Sequence, residues 1–106
     1  MGTRVVHCKR DDYDVYVGRK DFKFHFGNPF SHKDGTLAEV MVETREDAVR
    51  AFEDWLAGRD YHDVEPLRRE WILSKIHVLQ GYTLGCWCAP QACHGDVLAR
   101  WADTSR

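Results

Sequence analysis

The sequence predicts an α/β or α+β fold in which one domain, residues 1–106, packs a small sheet of three to four strands against about three helices. Short β-prone runs rich in valine and aromatic residues fill the first third. Two stretches with helical apolar spacing follow, and a late apolar run precedes a last helical pattern. A chain of 106 residues with 43% apolar and 30% charged residues is long enough for a single core and too apolar to be disordered.

The early strands are predicted from alternation and β-propensity. Residues 5–8 and 13–17 read as two short strands separated by a polar turn. Residues 20–26 alternate phenylalanine with polar residues, which suits a third short strand or an extended loop. The segment 27–30, Gly-Asn-Pro-Phe, is a turn signal. Residues 37–42 fit a helical turn or a strand equally well.

Two helices are predicted over residues 44–58 and 66–81. Thr44 can cap the first by accepting a hydrogen bond from the backbone N–H three residues later. A proline at the start of the second suits a first helical turn, with Glu65 or Asp63 as its cap. A glycine ends each of the two patterns.

The last elements are an apolar strand over 82–88 and a helix from Gly95 or Asp96 to Ala102. Because the strand follows a helical pair, it can lie in the middle of the sheet. Its C-terminal end would then open where ligands commonly bind in α/β folds. The region that follows this strand is therefore the expected place for a site.

Composition excludes several classes of protein. A net charge of −2 argues against a protein that mainly neutralises duplex DNA. The N-terminus has no signal-peptide pattern and no segment is apolar enough for a membrane span, so we expect a cytoplasmic protein with no membrane partner. In that reducing compartment, clustered cysteines favour metal binding or thiol chemistry over disulfides. Arg45 and the other helix arginines alternate with acids and look like solvated faces.

Three cysteines and a histidine occur within nine positions, as Cys86, Cys88, Cys93 and His94. Cys86 and Cys88 are two apart, so a strand would point both to one face. A chain reversal could bring all four together as a tetrahedral zinc site, although C-x-C-x4-C-H lacks the usual C-x2-C pairs. Ligands from elsewhere could replace one of the four: His7, His32 or Cys8.

Two other interpretations of this cluster stay open. Cys93 stands near the start of the last helix, where exposed N–H groups favour a thiolate nucleophile, with His94 or Asp96 assisting as catalytic partners. Alternatively, Cys86 and Cys88 simply pack as small buried side chains.

The chain carries the motifs VYVGR and GNPF in its first third and LGCWCAP and CHGDVL near its end. In these motifs it resembles the domain of unknown function 4326 family, found in phages and bacteria. The family brings no settled activity. It implies that six residues form one recurring constellation, namely Arg19, Asn28, Cys86, Cys88, Cys93 and His94.

Two functions follow as expectations. In the first, a phage-type protein in the cytoplasm of a bacterial host binds or processes a nucleotide-like small molecule or nucleic-acid fragment. Arg19 holds the anion, Asn28 orients the ligand, and Cys93 or a zinc-bound water carries any chemistry. In the second, a non-catalytic module stabilised by zinc or thiol packing binds a host or phage protein.

Overall fold

The computed structural model describes residues 2–19, 24–32, 40–89 and 91–104. The described elements, in chain order, are the strands and helices β1 (Arg4–His7), β2 (Val15–Tyr16), β3 (Phe30–Ser31), β4 (Val40–Met41), α1 (Arg45–Ala57), α2 (Pro66–Lys75), a 3-10 turn (Ile76–Leu79), β5 (Thr83–Cys86) and α3 (His94–Thr104). The α/β class is confirmed, with three helices and two small parallel sheets.

Strand β5 lies at the centre of a three-stranded parallel sheet with the order β1-β5-β2, as the sequence predicts. Val6 and Tyr16 flank Gly85 from its two sides. The carboxyl ends of the three strands therefore open at one edge of the sheet, where β5 runs into the cysteine-rich segment. Strands β3 and β4 form a separate two-stranded parallel sheet.

The core is formed where the helices meet each other and the central strand. Helix α3 packs against α1, β1 and β5, and α1 also packs against β3. Burial of each large apolar side chain contributes about 1.5–3 kcal/mol. The fully buried large side chains include Phe30, Phe52, Trp55, Leu56, Ile72, Leu84 and Leu98.

The predicted N-cap of α1 is confirmed, whereas the predicted N-cap residue of α2 does not cap that helix through its side chain. The Thr44 hydroxyl accepts a hydrogen bond of 3.0 Å from the Asp47 N–H. Gly58 ends α1 in the left-handed conformation with φ 78°. Glu65 occupies the N-cap position of α2, but its side chain makes no cap hydrogen bond and binds Arg68 instead.

Several boundaries differ from the sequence prediction. Strand β5 ends at Cys86 and α3 begins at His94, so the connection between them spans residues 87–93. Residues 24–26 are a loop, and 20–23 lie outside the described residues. Within 37–42, residues 40 and 41 form strand β4, and 37–39 lie outside the described residues. Strand β3 was not predicted because its two residues pair with a strand from another part of the chain. None of the described helices is long and apolar enough to cross a membrane.

Candidate functional site

A cavity of about 230 Å³ opens at the carboxyl end of β5. Its walls come from the segment after β2, the turn before β3, the first turn of α1 and the connection from β5 into α3. Gly18 and Arg19, here called the Gly-Arg corner, thus line the same cavity as Cys86, Cys88 and Cys93. Its lining includes Arg19, Asn28, Arg45, Trp87, Cys93 and His94.

Three cysteine sulfurs converge at this cavity. The Sγ atoms of Cys86, Cys88 and Cys93 all lie within 4.8 Å of one another. The sulfurs of Cys86 and Cys93 are in bonding contact, and their Cα atoms are 7.5 Å apart. Because the Cα atoms of ordinary disulfides lie about 4.4–6.8 Å apart, these two backbone positions suit two thiolates converging on one ion better than a covalent bridge. The triad is therefore a candidate metal centre.

Cys93 caps the N-terminus of α3. Its sulfur accepts a hydrogen bond from the Gly95 N–H at 3.4 Å, and its own N–H donates to the Asp96 carboxylate at 3.1 Å. This reciprocal pattern is a capping box in which a cysteine replaces serine or threonine. In the reduced protein, these helix N–H groups would stabilise a negative charge on the Cys93 sulfur. Asp96 binds the backbone of Cys93, and its catalytic role stays a prediction.

His94 is buried, and its two ring nitrogens have different partners. Nε2 lies 2.7 Å from the Val17 carbonyl oxygen and 3.1 Å from that of Phe26. Two acceptors at Nε2 require the proton there, which leaves the Nδ1 lone pair facing Cys93 Sγ at 3.6 Å. Burial lowers the pKa of His94 to about 4, although the hydrogen bond to Val17 opposes that shift. The imidazole is therefore neutral at pH 7, the form that binds metal.

Arg19 and Asn28 line the cavity and also brace it. The Arg19 guanidinium donates from Nε to the Asn28 carbonyl at 2.7 Å and from Nη2 to the Phe30 carbonyl at 3.1 Å. The Asn28 amide donates to the Ala48 carbonyl at 3.0 Å and accepts from the Phe30 N–H at 2.9 Å. Burial lowers the pKa of Arg19, and the nearby Cys88 opposes that shift. Arg19 thus places a positive charge beside the triad, while the ligand contacts of both residues stay predictions.

The residues considered as outside ligands lie near the triad but not within it. In the described part of the chain, the three cysteines alone make up the group of ligand atoms within 4.8 Å. Of the four predicted metal ligands, His94 therefore lies close to Cys93 but outside that group. The ring of His7 packs edge-on against Trp87. The backbone N–H of Cys8 donates to the Cys86 carbonyl at 3.0 Å, and His32 lines the cavity.

Sequence reasoning missed two residues of the cavity. Arg45 was expected on a solvated helix face, but it is half-buried on the cavity wall. Within the described residues it makes no hydrogen bond or ion pair. Alternation along a strand predicts that Trp87 points away from Cys86 and Cys88, and its indole contacts Tyr16 and His7. The residue nevertheless contributes to the lining of the cavity and is 54% exposed. A hint for Arg45 was its place in the first turn of a helix that follows the loop carrying Asn28.

Comparison with known proteins confirms the family that the sequence resembles. The family model for the domain of unknown function DUF4326 matches residues 4–104. The chain is also 32% identical over 97 residues to the uncharacterized 12.4 kDa protein in the nrdA-td intergenic region of Enterobacteria phage T4, a match that covers 91% of this chain and 73% of the phage protein. No solved structure matches it. The chain therefore belongs to the DUF4326 family, a domain of unknown function.

Proposed function

We propose that this protein binds one zinc ion with Cys86, Cys88 and Cys93 and receives an anionic, nucleotide-like ligand in the adjoining cavity. The observation that carries the proposal is the convergence of the three sulfurs within 4.8 Å at the cavity. Zn–S bonds of about 2.3 Å at tetrahedral angles place ligand sulfurs about 3.8 Å apart. In the reduced protein the Cys86 and Cys93 sulfurs would move apart to reach this spacing, which the 7.5 Å between their Cα atoms allows.

His94 is the candidate fourth ligand. Its Nδ1 lies 3.6 Å from Cys93 Sγ, about the distance that separates nitrogen and sulfur ligands on one tetrahedral zinc. Its Nε2–H donates to a backbone carbonyl, as metal-binding histidines usually do. With His94 bound, the site is closed and structural. With the three thiolates alone, one coordination position is open to water or a ligand, and zinc then supplies Lewis acidity and a more acidic bound water.

The charges around the cavity favour an anion. Zn²⁺ with three thiolates carries a net charge of −1, which the positive charge of the Arg19 guanidinium near Cys88 offsets. Arg45 adds a half-buried cation on the wall, without a hydrogen-bond or ion-pair partner among the described residues. A guanidinium whose N–H groups have no such partner can bind a phosphate through two parallel hydrogen bonds.

A second candidate is a non-catalytic, zinc-stapled module that binds a host or phage protein. The burial of the cluster favours it: Cys86 is 2% exposed and Cys93 1%. These two residues join the end of β5 to the start of α3, so a metal here would brace the core. This alternative shares zinc binding with the first but requires no ligand in the cavity.

Zinc titration with a competing chromophoric chelator tests the metal site. The reduced protein is expected to take up about one zinc per chain, and Cys88→Ser to weaken that binding at least tenfold. Cys8→Ser is the matched control, because Cys8 is also a half-buried free cysteine but lies outside the triad. A protein that binds no zinc, or a Cys88→Ser variant with unchanged affinity, would show that the proposal is wrong.

Calorimetry with the zinc-loaded protein separates the two candidates. Pyrophosphate is expected to bind, and Arg45→Gln to weaken it about tenfold through loss of the bidentate contact. Arg50→Gln is the control, since Arg50 lies on the exposed side of the same helix. Zinc-dependent melting without any anion binding would support the stapled module instead.

A further inference from the structure

We propose that Trp87 is the stacking surface for an unpaired nucleobase, which makes the ligand of the cavity a base joined to a phosphate. The inference rests on the proposed function, because the phosphate would lie toward the cations and the triad. It assigns a role to a residue that the metal site does not use. The source of the base is either a free nucleotide or a single-stranded nucleic-acid end.

Trp87 follows the last residue of β5 and stands between two cysteines of the triad. Trp87 is one of the residues that line the cavity, and 54% of it is exposed. Trp55, by contrast, is 1% exposed and forms part of the core. Trp87 is therefore not a core residue, and much of its surface is left accessible to a ligand.

The exposed indole is nevertheless held in a fixed orientation. Its Nε1–H donates to the Tyr16 hydroxyl at 2.7 Å. The His7 ring meets it edge-on at a centroid distance of 5.8 Å and an interplanar angle of 79°. The Lys9 ammonium lies 5.5 Å from the ring centroid. A ring already fixed by three neighbours loses little conformational freedom when a ligand stacks on it.

Gly18 allows this arrangement. A Cβ at Gly18 would collide with the phenol ring of Tyr16, so only glycine lets that ring lie where its hydroxyl reaches Trp87. The backbone N–H of the neighbouring Val17 bonds to the Gly85 carbonyl at 2.9 Å, which aligns the two segments. The Gly-Arg corner therefore supports the indole as well as the cavity wall.

The surroundings of the indole define the chemistry of the ligand. A nucleobase stacks on an aromatic face whatever its identity, and nearby cations bind the attached phosphate. Lys9 lies over Trp87, and Arg45 lines the same cavity. A base within a duplex cannot present its face, and the net charge of −2 argues against duplex binding. An unpaired base with a phosphate is therefore the class that fits.

Calorimetry on the zinc-loaded protein tests the inference with AMP, adenosine, pyrophosphate and a single-stranded pentanucleotide. AMP is expected to bind tighter than pyrophosphate, and Trp87→Leu to weaken AMP binding about tenfold while pyrophosphate binding stays unchanged. Trp87→Phe should keep part of the affinity. Tyr82→Leu is the control, because Tyr82 is also an exposed aromatic but lies before β5, at the opposite end of the strand.

Equal binding of AMP and pyrophosphate, or AMP binding that Trp87→Leu leaves unchanged, would overturn the inference while leaving the metal and anion site intact. Absence of zinc or pyrophosphate binding would instead remove the proposed function. If adenosine still bound in that case, and Trp87→Leu weakened its binding, the stacking surface would be supported even though the proposed function had failed. A pentanucleotide that binds at least tenfold tighter than AMP identifies a nucleic-acid end, and equal binding identifies a free nucleotide. Melting curves should show Trp87→Leu folded, since its side chain is exposed.

Discussion

The imidazole of His94 connects Val17, which follows β2, to Cys93 at the start of α3. Nε2 lies 2.7 Å from the Val17 carbonyl oxygen, and Nδ1 lies 3.6 Å from Cys93 Sγ. The first contact fixes the ring and its proton, and the second directs a lone pair toward the Cys93 sulfur. The buried His94 side chain therefore links the backbone next to the Gly-Arg corner to Cys93 in the cysteine-rich segment.

The metal-free protein is expected to lose stability as the pH falls from about 6.5 to 4. Burial lowers the pKa of His94 to about 4, whereas an unfolded histidine titrates near 6.5. Between these two pH values the unfolded chain binds more protons than the folded chain. Lowering the pH through this range therefore lowers the free energy of unfolding, by at most about 3 kcal/mol. Urea unfolding at pH 4.5 and 7 measures the loss.

His94→Gln should flatten this pH dependence, because glutamine can donate to the Val17 carbonyl but does not titrate. His77→Gln should keep it, since His77 is exposed. Carboxylates contribute to both curves, and only the difference between the variants reports His94. Identical slopes in the two variants would contradict the assignment.

Removal of the Arg68 side chain is expected to destabilise the fold by about 3 kcal/mol. Arg68 is 3% exposed and donates from Nη1 to the carbonyls of His25 at 2.8 Å and Gly27 at 2.7 Å. Its Nε donates to Glu65 at 2.7 Å. Arg68→Met keeps most of the volume but leaves these acceptors without a donor. Chemical denaturation gives the change in unfolding free energy.

Arg100→Met is the matched control for Arg68. The guanidinium of Arg100 lies 2.6 Å from a Glu53 carboxylate oxygen, but its side chain is 56% exposed. An exposed ion pair contributes about 1 kcal/mol or less. Equal losses in the two methionine variants would show that Arg68 does not brace the loop before Asn28.

Gly27→Ala is expected to cost about 2–3 kcal/mol because of a backbone collision. A Cβ at Gly27 would lie 2.6 Å from the Arg19 Cα and 2.8 Å from the His25 Nδ1. The Arg19 segment cannot easily move away, since its side chain holds the Asn28 and Phe30 carbonyls. Urea unfolding of the purified variant measures the loss.

Gly81→Ala provides the comparison, because it tests backbone strain without a collision. Gly81 has φ +83° and no heavy atom within 4 Å of an added Cβ, so the expected cost is only about 1 kcal/mol. If Gly27→Ala proved as stable as Gly81→Ala, the close approach of Gly27 to Arg19 would not be a constraint of the fold.

Much of the fold follows from local patterns in the chain. Thr44 begins a helix with its hydroxyl on the Asp47 N–H, as the sequence predicts. The strand before the cysteines lies in the centre of the sheet, also as predicted. Caps and periodicity act over three or four residues, so the sequence displays them directly. The spacing of Cys86 and Cys88 likewise predicts that both sulfurs lie on one side, and both belong to the triad.

The sequence by itself determined the order of the elements, the central strand, the clustering of sulfur ligands and the family. Only the tertiary structure decided that Arg45 and Trp87 line the cavity, that Asn28 is bound at both ends of its amide, and which nitrogen of His94 faces Cys93. The physical reason is distance along the chain. His94 and Val17 are 77 positions apart, and no local period or cap encodes which distant carbonyl a buried imidazole will meet.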